Sequence, residues 1–344
     1  MPKKYIFIII IIFCLLFLPA CSILPGGGGG GGFNSSSPLY KSEDRGLNWY
    51  ENNSLQNSQD KISRASINKM IFSPYDSRVI YVSTTKGLYF SDNSGVNWQL
   101  ISPELNVNDF CLNPKTKGII YILSGNQVTK STDNGQNWNF IYRETRPNIS
   151  LTSVNISPFD TSMVYLLSSD GNLLLSTDWG DRWKSIYNFD ATVNRMLIDY
   201  SNSQNIYVLT NNNIFRSLDQ AVSWEQILGD NIKDFPQANQ VKSLKIDKAG
   251  NLFYCSGYGI LISSDNGSTW RPLGLISPAG SVNILEFGFN PNNNNEIYYI
   301  VEDILYHTQD NGRNWKTKLL PTKNTRHLLI DYFNPSNLYI GLSN

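Results

Sequence analysis

Seven polar side chains occur at one repeated position of this 344-residue sequence, and two of them are carboxylates. The position lies three residues before an apolar residue that recurs as Phe72, Leu112, Ile156, Ile198, Ile246, Phe289 and Ile330. The polar residues are Lys69, Asp109, Ser153, Arg195, Ser243, Glu286 and His327. Paired carboxylates such as Asp109 and Glu286 could act as acid and base in glycoside hydrolysis. The mixed charges could equally bind a polar ligand, or pair among themselves, as Lys69 with Asp109.

The element that must position these side chains is a repeat marked by the octapeptide Ser-x-Asp-x-Gly-x-x-Trp, which is clearest from Ser131 to Trp138. Its seven copies end 40 to 49 residues apart, at Trp49, Trp98, Trp138, Trp183, Trp224, Trp270 and Trp315. Self-similarity at this period is typical of a repeat architecture. Seven of the eight tryptophans of the chain therefore belong to the repeat.

Each position of the octapeptide has a chemical reason. The glycine supplies the positive φ that reverses the chain, and the tryptophan anchors the turn through a large apolar face. Asn93 replaces the acid in one copy and keeps the same turn chemistry, whereas Ala221 replaces the glycine in another, where we expect a strained or differently shaped turn. The acid can accept hydrogen bonds from backbone N–H groups two or three residues on. It is present as Asp44, Asp133, Asp178, Asp219, Asp265 and Asp310.

The octapeptide resembles the Asp-box, or bacterial neuraminidase repeat, of sialidases, sortilin-type receptors, some glycoside hydrolases and photosystem II assembly-factor-like propellers. The resemblance implies that these turns are structural and lie at the outer rim of a propeller blade, away from the ligand face. Sialidases of this kind carry an arginine in an Arg-Ile-Pro-like motif; none occurs here, and Arg64-Ala65-Ser66 is the nearest stretch. A non-catalytic binding or assembly module is the main interpretation, and a glycoside hydrolase using Asp109 and Glu286 is the alternative.

The pattern within one repeat is all strand. Before Trp98, three short strand patterns follow one another at Asn68 to Ser73, Val79 to Ser83 and Gly87 to Ser91. Trp98 opens a fourth strand, and four strands per repeat is the period of a propeller blade. The C-terminus supplies the first half of a repeat and the N-terminus the second half. The sequence therefore predicts an all-β, seven-bladed β-propeller of four-stranded blades over residues 38–344, with the seventh blade closed by N- and C-terminal strands.

The first 37 residues predict export and anchoring. Two lysines precede an apolar run from Tyr5 to Leu18, which is short for a membrane span but suits a signal peptide over residues 1–20. Leu18-Pro19-Ala20-Cys21 resembles the lipobox of bacterial lipoproteins, which implies lipid on Cys21. Residues 21–37, with glycine from Gly26 to Gly32, are typical of a flexible tether. We expect an extracytoplasmic domain anchored by lipid to the bacterial cell membrane or outer membrane.

Composition excludes several classes of partner. Without residues 1–20 the chain has 26 basic and 28 acidic residues, so it has no basic excess for binding nucleic acid. Cys111 and Cys255 lie in apolar strand patterns three repeats apart, which favours buried thiols over a disulfide. With two histidines in all, the sequence assembles no metal site, and we expect no cofactor.

The candidate ligand site combines the polar position with variable segments. The segments that lead into the first strand of a blade lie opposite the octapeptide, and the longest are residues 50–66, 139–152 and 225–240. Mixed charge slightly favours a polar peptide over a glycan, because a sugar platform would show more exposed aromatics. We expect a monomer that binds an envelope protein or a glycan. The predicted contacts are Lys69, Asp109, Arg195, Glu286 and His327, with Arg143, Arg146, Lys233 and Tyr258 from the loops.

Overall fold

Every repeat folds into one four-stranded antiparallel sheet, because its short alternating strands are separated by turns tight enough to bring consecutive strands together. The computed structural model describes residues 37–57, 59–102 and 106–343. Blade 1 contains β3 (Ile67–Phe72), β4 (Ile80–Thr84), β5 (Gly87–Ser91) and β6 (Gln99–Ser102). Blade 2 contains β7 (Val107–Leu112), β8 (Ile120–Ser124), β9 (Gln127–Ser131) and β10 (Asn139–Arg143). Blade 3 contains β11 (Leu151–Ile156), β12 (Val164–Ser168), β13 (Asn172–Ser176) and β14 (Lys184–Asn188).

The remaining blades repeat the same order of strands. Blade 4 contains β15 (Val193–Ile198), β16 (Ile206–Thr210), β17 (Ile214–Ser217) and β18 (Glu225–Gln226), and a 3-10 helix follows at Asp230–Ile232. Blade 5 contains β19 (Val241–Ile246), β20 (Leu252–Ser256), β21 (Ile260–Ser263) and β22 (Arg271–Pro272). Blade 6 contains β23 (Ile284–Asn290), β24 (Asn293–Val301), β25 (Ile304–Thr308) and β26 (Lys316–Leu319). Within the described ranges, no helix is long and apolar enough to cross a membrane.

The seventh blade is built from both ends of the chain. Its strand order is β27 (Thr325–Ile330), β28 (Leu338–Leu342), β1 (Leu39–Ser42) and β2 (Tyr50–Glu51). The two chain ends pair antiparallel, from Leu39 opposite Gly341 to Ser42 opposite Leu338. Seven blades in a ring confirm the predicted all-β propeller and its closure, which satisfies the backbone of the terminal strands.

The two faces of the propeller carry different connections. The turns from first to second strand and the octapeptide turns lie together on one face, the octapeptide face, where for example Asn134 N donates to Gly118 O at 3.0 Å. The connections between blades lie on the opposite face, the connecting face. First strands of most neighbouring blades contact one another around the central channel. Each first strand therefore runs along the channel from the connecting face to the octapeptide face.

The long segments predicted at the connecting face are more ordered than the sequence indicates. Residues 139–143 form β10, so the loop expected over residues 139–152 is confined to residues 144–150. The segment 50–66 buries Ile62 and Ala65, and the segment 225–240 buries Ile232 and Ala238. These two segments cover apolar surface, which the sequence pattern alone did not reveal.

The octapeptide turn is held by its serine and aspartate together. Ser131 Oγ donates to Asp133 Oδ1 at 2.8 Å and accepts from Gly135 N at 2.8 Å. Asp133 Oδ1 also accepts from Asn137 N at 2.9 Å. The main backbone N–H that donates to the aspartate thus lies four residues after it, rather than the two or three expected. The serine hydroxyl instead accepts from the N–H groups of Asp133 and Gly135, which are nearer in sequence. No role for this serine was predicted from the sequence.

Gly135 and Ala221 test the backbone strain of this turn. Gly135 has φ +86°, and a Cβ added there would lie 3.0 Å from Ile101 Cβ. Ala221, at the equivalent position, has φ 72°, and its N–H still donates to the octapeptide serine, Ser217. We expect Gly135→Val to lower the free energy of unfolding by about 2–3 kcal/mol. Ala221→Gly should raise it by about 0.5–1 kcal/mol, because glycine relieves the strain. Denaturant midpoints check both, and a destabilised Ala221→Gly variant would contradict the strain argument.

Candidate functional site

A β-bulge precedes each of the seven polar residues that the sequence placed on the channel strands. The register shifts between Ile67 and Lys69 in blade 1, and at the equivalent place in every other blade. A bulge adds one residue to a strand and re-aims the side chain that follows it. The repeated bulge is therefore the local device that positions the polar residues, and periodicity alone did not indicate it.

Lys69 and Asp109 form an ion pair between blades 1 and 2. Lys69 Nζ lies 2.6 Å from Asp109 Oδ1 and donates to Phe110 O at 2.8 Å. The ammonium also lies 5.5 Å from the centroid of the Phe110 ring, within cation–π range. The Lys69–Asp109 ion pair, which was the alternative to ligand binding, is thus present in the structure.

The Asp109 carboxylate is fully engaged in joining three blades. Its Oδ1 accepts a further bond from Phe110 N at 2.8 Å. Its Oδ2 accepts from Ser153 Oγ at 3.1 Å and from Val154 N at 2.9 Å, both in blade 3. Lone pairs committed to these donors are not free to exchange a proton with a substrate.

Glu286 also forms an ion pair with a lysine, between blades 5 and 6, through one of its two carboxylate oxygens. Lys245 Nζ lies 2.9 Å from Glu286 Oε1, donates to Phe287 O and stands 5.0 Å from the Phe287 ring centroid. Phe287 N donates to Glu286 Oε1 at 2.8 Å. Lys245 was missed because the alignment selected Ser243. The alternation of side chains along a strand could have identified Lys245, because residues two apart, such as Ser243 and Lys245, point to the same side.

His327 closes the ring of polar residues at the seventh blade. Its Nε2 lies 2.9 Å from Ile67 O, in blade 1. Burial lowers the pKa of His327 below its usual value and outweighs the Glu286 carboxylate and the hydrogen bond to Ile67 O, which act in the opposite direction. The imidazole is therefore neutral at pH 7, with Nε2–H donating to the carbonyl.

Arg195 differs from the other members of the ring. It is exposed, and it makes no hydrogen bond or ion pair with any residue that the structure describes. With Lys69 it lines a cavity of about 310 Å³, which we call the channel cavity. Apolar side chains form most of the wall, and the cavity reaches the octapeptide face at Pro74, Pro114 and Tyr200. Among the predicted residues, Lys69 and Arg195 are the two that the structure brings into this cavity.

The predicted loop residues lie on the connecting face and are separate from the channel cavity. Arg146 is held by Glu144, with Nη2 to Oε2 at 2.8 Å, and by Asp170 at 2.6 Å. The Arg146 guanidinium lowers the pKa of Glu144. Arg143 lies 5.6 Å from the Phe140 ring, and Tyr258 packs edge-on against Phe235. Lys233 is exposed directly after the 3-10 helix.

Exposed aromatic side chains lie on the octapeptide face beside the first strands of blades 1, 3, 4 and 7, which was not expected from the sequence. They lie in or next to the turns after the first strands. Two hydrogen bonds join three of these turns across blades: Tyr332 OH donates to Ser73 O at 3.0 Å, and Tyr75 OH donates to Asn113 O at 2.9 Å. The exposed fractions are 42% for Tyr75, 49% for Phe159, 66% for Tyr200 and 74% for Phe333. The slight preference for a peptide that rested on few exposed aromatics therefore loses that support.

Cys111 and Cys255 are buried free thiols, as predicted, and burial raises the pKa of Cys255 to about 12. Over the described part of the chain, no group of three His, Cys, Asp or Glu side chains could hold a metal ion. The chemistry available at the channel is thus hydrogen bonding and charge pairing by Arg195, together with apolar contact.

Comparison with solved structures finds the same architecture in proteins of different function. A structure of YCF48 bound to D1 peptide matches with a TM-score of 0.62 and 15% identity, over 90% of this chain and 98% of that chain. A GH74 xyloglucanase from Xanthomonas campestris matches with a TM-score of 0.67 and 16% identity, over 89% of this chain and 53% of that chain. YCF48 from Cyanidioschyzon merolae matches with a TM-score of 0.60 and 13% identity, over 81% and 95%. No family model and no curated protein matches the sequence.

These likenesses define the class of protein, a seven-bladed β-propeller, and at such identities they show the fold alone. The chain spans about half the length of the GH74 xyloglucanase. Its function must therefore be argued from its own site.

Proposed function

We propose that this protein is a non-catalytic binding module that recognises a protein segment through a carboxylate held by Arg195. The observation that carries the proposal is the free guanidinium of Arg195 in the channel cavity. A guanidinium has five donors in a planar fork that matches a carboxylate in two parallel hydrogen bonds. Because Met196, Ile198 and Phe110 line the same cavity, the complementary ligand carries apolar groups beside its carboxylate.

A protein segment fits this chemistry better than a neutral glycan. Acidic side chains and the C-terminal carboxylate of a peptide stand next to apolar side chains, whereas neutral sugars bear no carboxylate. The YCF48 structure, which shares the fold, holds a D1 peptide and supports the same choice. We infer that the partner of this protein presents an acidic segment to the channel from the octapeptide face.

The alternative, a glycoside hydrolase, is disfavoured by the state of its two candidate carboxylates. A general acid must be free to give its proton to the glycosidic oxygen. Asp109 pairs with Lys69 and accepts three further hydrogen bonds, and Glu286 pairs with Lys245. We therefore assign no hydrolytic step to this site.

A capture experiment separates these classes. Full-length protein, purified in detergent, is used to capture partners from an envelope extract and is tested beside it on a glycan array and in a glycosidase screen. A captured protein that acidic peptides displace supports the proposal, provided that Arg195→Gln loses it and Arg271→Gln retains it. Arg271 is a suitable control because it is exposed on β22. Hydrolysis that disappears in Asp109→Asn or Glu286→Gln would overturn the proposal, and so would binding to a neutral glycan alone.

We also propose that the protein is extracytoplasmic and held at a bacterial membrane by lipid on Cys21. The signal peptide, Cys21 and the glycine run lie outside the described residues, so the lipobox-like sequence carries this proposal. Two or three acyl chains give stable anchoring, which one chain does not.

We expect Cys21→Ser to abolish labelling with radioactive palmitate and to leave an unprocessed precursor. The thermal unfolding of the propeller should not change, because Cys21 precedes its first described residue, Ser37. Cys111→Ser is the control for labelling, since its thiol is buried in the domain. A mature protein that is cleaved elsewhere and carries no lipid would contradict the anchoring proposal.

A further inference from the structure

A second cavity lies on the octapeptide face, between blades 1 and 2, and we call it the inter-blade cavity. It has a volume of about 330 Å³. Its blade 1 side includes Tyr75, Tyr81 and Phe90, and its blade 2 side includes Asn113, Lys117 and Asn134. Pro74 and Leu112 line both this cavity and the channel cavity, so the two are neighbours.

Tyr81 occupies a position at which other blades bond to the next blade. In blade 2, Tyr121 OH donates to Trp179 O at 3.0 Å, and in blade 7, Tyr339 OH donates to Ser94 O at 3.2 Å. Both acceptors are the fourth residue of the octapeptide in the next blade. For Tyr81 in blade 1, the residue at that position in the next blade is Asn134. The Tyr81 hydroxyl makes no hydrogen bond with any described residue. Blade 1 has a cavity where blades 2 and 7 have this bond. In blade 4 the equivalent Tyr207 OH donates to the side chain of Asn266 at 3.3 Å, and in blade 3 the Tyr165 hydroxyl has no partner among the described residues.

Asn113 is a second group in this cavity with unused hydrogen-bonding capacity. It is 1% exposed, and its Oδ1 accepts from Lys115 N and Thr116 N, both at 2.8 Å. Its Nδ2 has no acceptor within the described part of the chain. Because polar groups in folded proteins are normally satisfied, a ligand group in this cavity can complete the Tyr81 hydroxyl, while the Asn113 amide lies buried in the wall.

The walls favour a planar aromatic group with a polar edge. Tyr81 and Phe90 present aromatic rings whose centroids are 5.2 Å apart and tilted by 58°. Aromatic pairs of this kind prefer offset or edge-to-face contact, which a third ring can extend. A phenol or an indole would fill the apolar depth and offer its O–H or N–H to Tyr81, while a phenyl ring would leave that hydroxyl without a partner.

We infer that the inter-blade cavity is an anchor pocket for a tyrosine or tryptophan side chain of the protein segment whose carboxylate meets Arg195. This inference rests on the proposed function, since it assigns the second contact of the same ligand. The shared wall at Pro74 and Leu112 lets residues close together in one segment reach both cavities. The recognition motif is therefore bipartite, with one acidic group and one aromatic residue that can form hydrogen bonds.

The test uses uncharged probes and the full-length protein. N-acetyltyrosinamide and N-acetyltryptophanamide should bind more tightly than N-acetylphenylalaninamide in ligand-observed NMR titrations. Tyr81→Phe should reduce this preference roughly five- to tenfold, the effect of one lost hydrogen bond. Its melting temperature should not change, because the hydroxyl has no partner to lose.

Tyr121→Phe is the matched control. It should lower the melting temperature by roughly 2 °C, because it breaks the bond to Trp179 O, and it should leave probe binding unchanged. Val79→Trp, a substitution in the wall of the cavity, should abolish binding of all three probes in a protein that still unfolds cooperatively. Arg195→Gln should not alter probe binding, because the probes carry no charge.

These variants separate failure of the pocket from failure of the proposed function. Probes that do not bind, or that bind Val79→Trp as well as wild type, overturn the anchor pocket whatever Arg195 does. Displacement of the probes by methyl glycosides at lower concentration would also overturn it in favour of a sugar site. If the probes bind as expected but Arg195→Gln still captures the segment, the anchor pocket is supported and the carboxylate contact is rejected.

Discussion

Replacing Glu296 by alanine is expected to lower the free energy of unfolding by about 3–5 kcal/mol, because several buried donors would each lose their acceptor. Glu296 is 3% exposed in blade 6. Its Oε1 accepts from Arg45 Nε and from Tyr298 OH, at 3.0 and 2.9 Å, and lies 3.0 Å from His307 Nε2. Its Oε2 accepts from Asn290 Nδ2 at 2.7 Å. The alanine variant would leave these donors without an acceptor.

The position of Arg45 explains why the effect reaches the whole fold. Arg45 belongs to the octapeptide of the seventh blade, whose outer half comes from the N-terminus. Lys318 of blade 6 donates to Arg45 O, so both the side chain and the backbone of this turn are held by blade 6. The cluster thus fixes the N-terminal strands to their neighbour, in addition to the pairing of β1 with β28. We expect the variant to expose this segment to proteases first.

The same cluster predicts a loss of stability in acid. Burial alone would raise the pKa of Glu296, but hydrogen bonds from His307, Asn290, Tyr298 and Arg45 outweigh it and lower the pKa to about 2. A depressed folded-state pKa stabilises the protein above the unfolded value of 4.5, and this contribution, about 3 kcal/mol at 1.36 kcal/mol per unit, is lost as the pH falls towards 2. In Glu296→Ala, the free energy of unfolding should therefore fall less steeply as the pH is lowered from about 4.5 towards 2.

Denaturant unfolding from pH 7 to pH 2 measures both effects. Glu43→Ala is the matched control, because Glu43 lies in the same octapeptide as Arg45 and its carboxylate, which pairs with Lys41, is itself exposed. Exposed pairs contribute about 0–1 kcal/mol. Equal, small effects of the two substitutions would refute the role assigned to Glu296.

Reversing the charge of Arg195 is expected to weaken capture of the partner segment by roughly 30-fold or more. A glutamate there would lose the two charge-assisted bonds and repel the ligand carboxylate, which together should cost about 2 kcal/mol or more. Folding should be unaffected, because the Arg195 side chain is exposed and makes no hydrogen bond or ion pair with a described residue that the variant would break.

Binding of the captured segment, measured at several salt concentrations, checks this result. Wild-type affinity should fall as salt rises, and the dependence should be lost in Arg195→Glu. Arg271→Glu makes the same change of charge away from the channel and should bind within about twofold of wild type, as expected for a distant surface charge. An Arg195→Glu variant that binds as tightly as wild type would exclude the carboxylate contact.

The sequence by itself determined the propeller and its closure, because these follow from local chemistry repeated at a fixed period. The serine, acid and glycine of the octapeptide close a turn within eight residues, and alternation defines the flanking strands. The predicted strand Gly87–Ser91 matches β5, and the strand predicted at Asn68 to Ser73 is displaced by one residue from β3. Such features need no information from distant residues.

The tertiary structure decided which polar groups are satisfied and which remain free. Arg45 and Glu296 are 251 residues apart, and Lys245 reaches Glu286 from the neighbouring blade, so no local pattern pairs them. Lys69, Asp109, Arg195 and Glu286 occupy the same position of the repeat, so the sequence does not distinguish them. In the structure three of them are in ion pairs and Arg195 is not. The physical reason is that an ion pair needs atoms within about 4 Å, and the packing of adjacent blades, rather than the repeat, sets those distances.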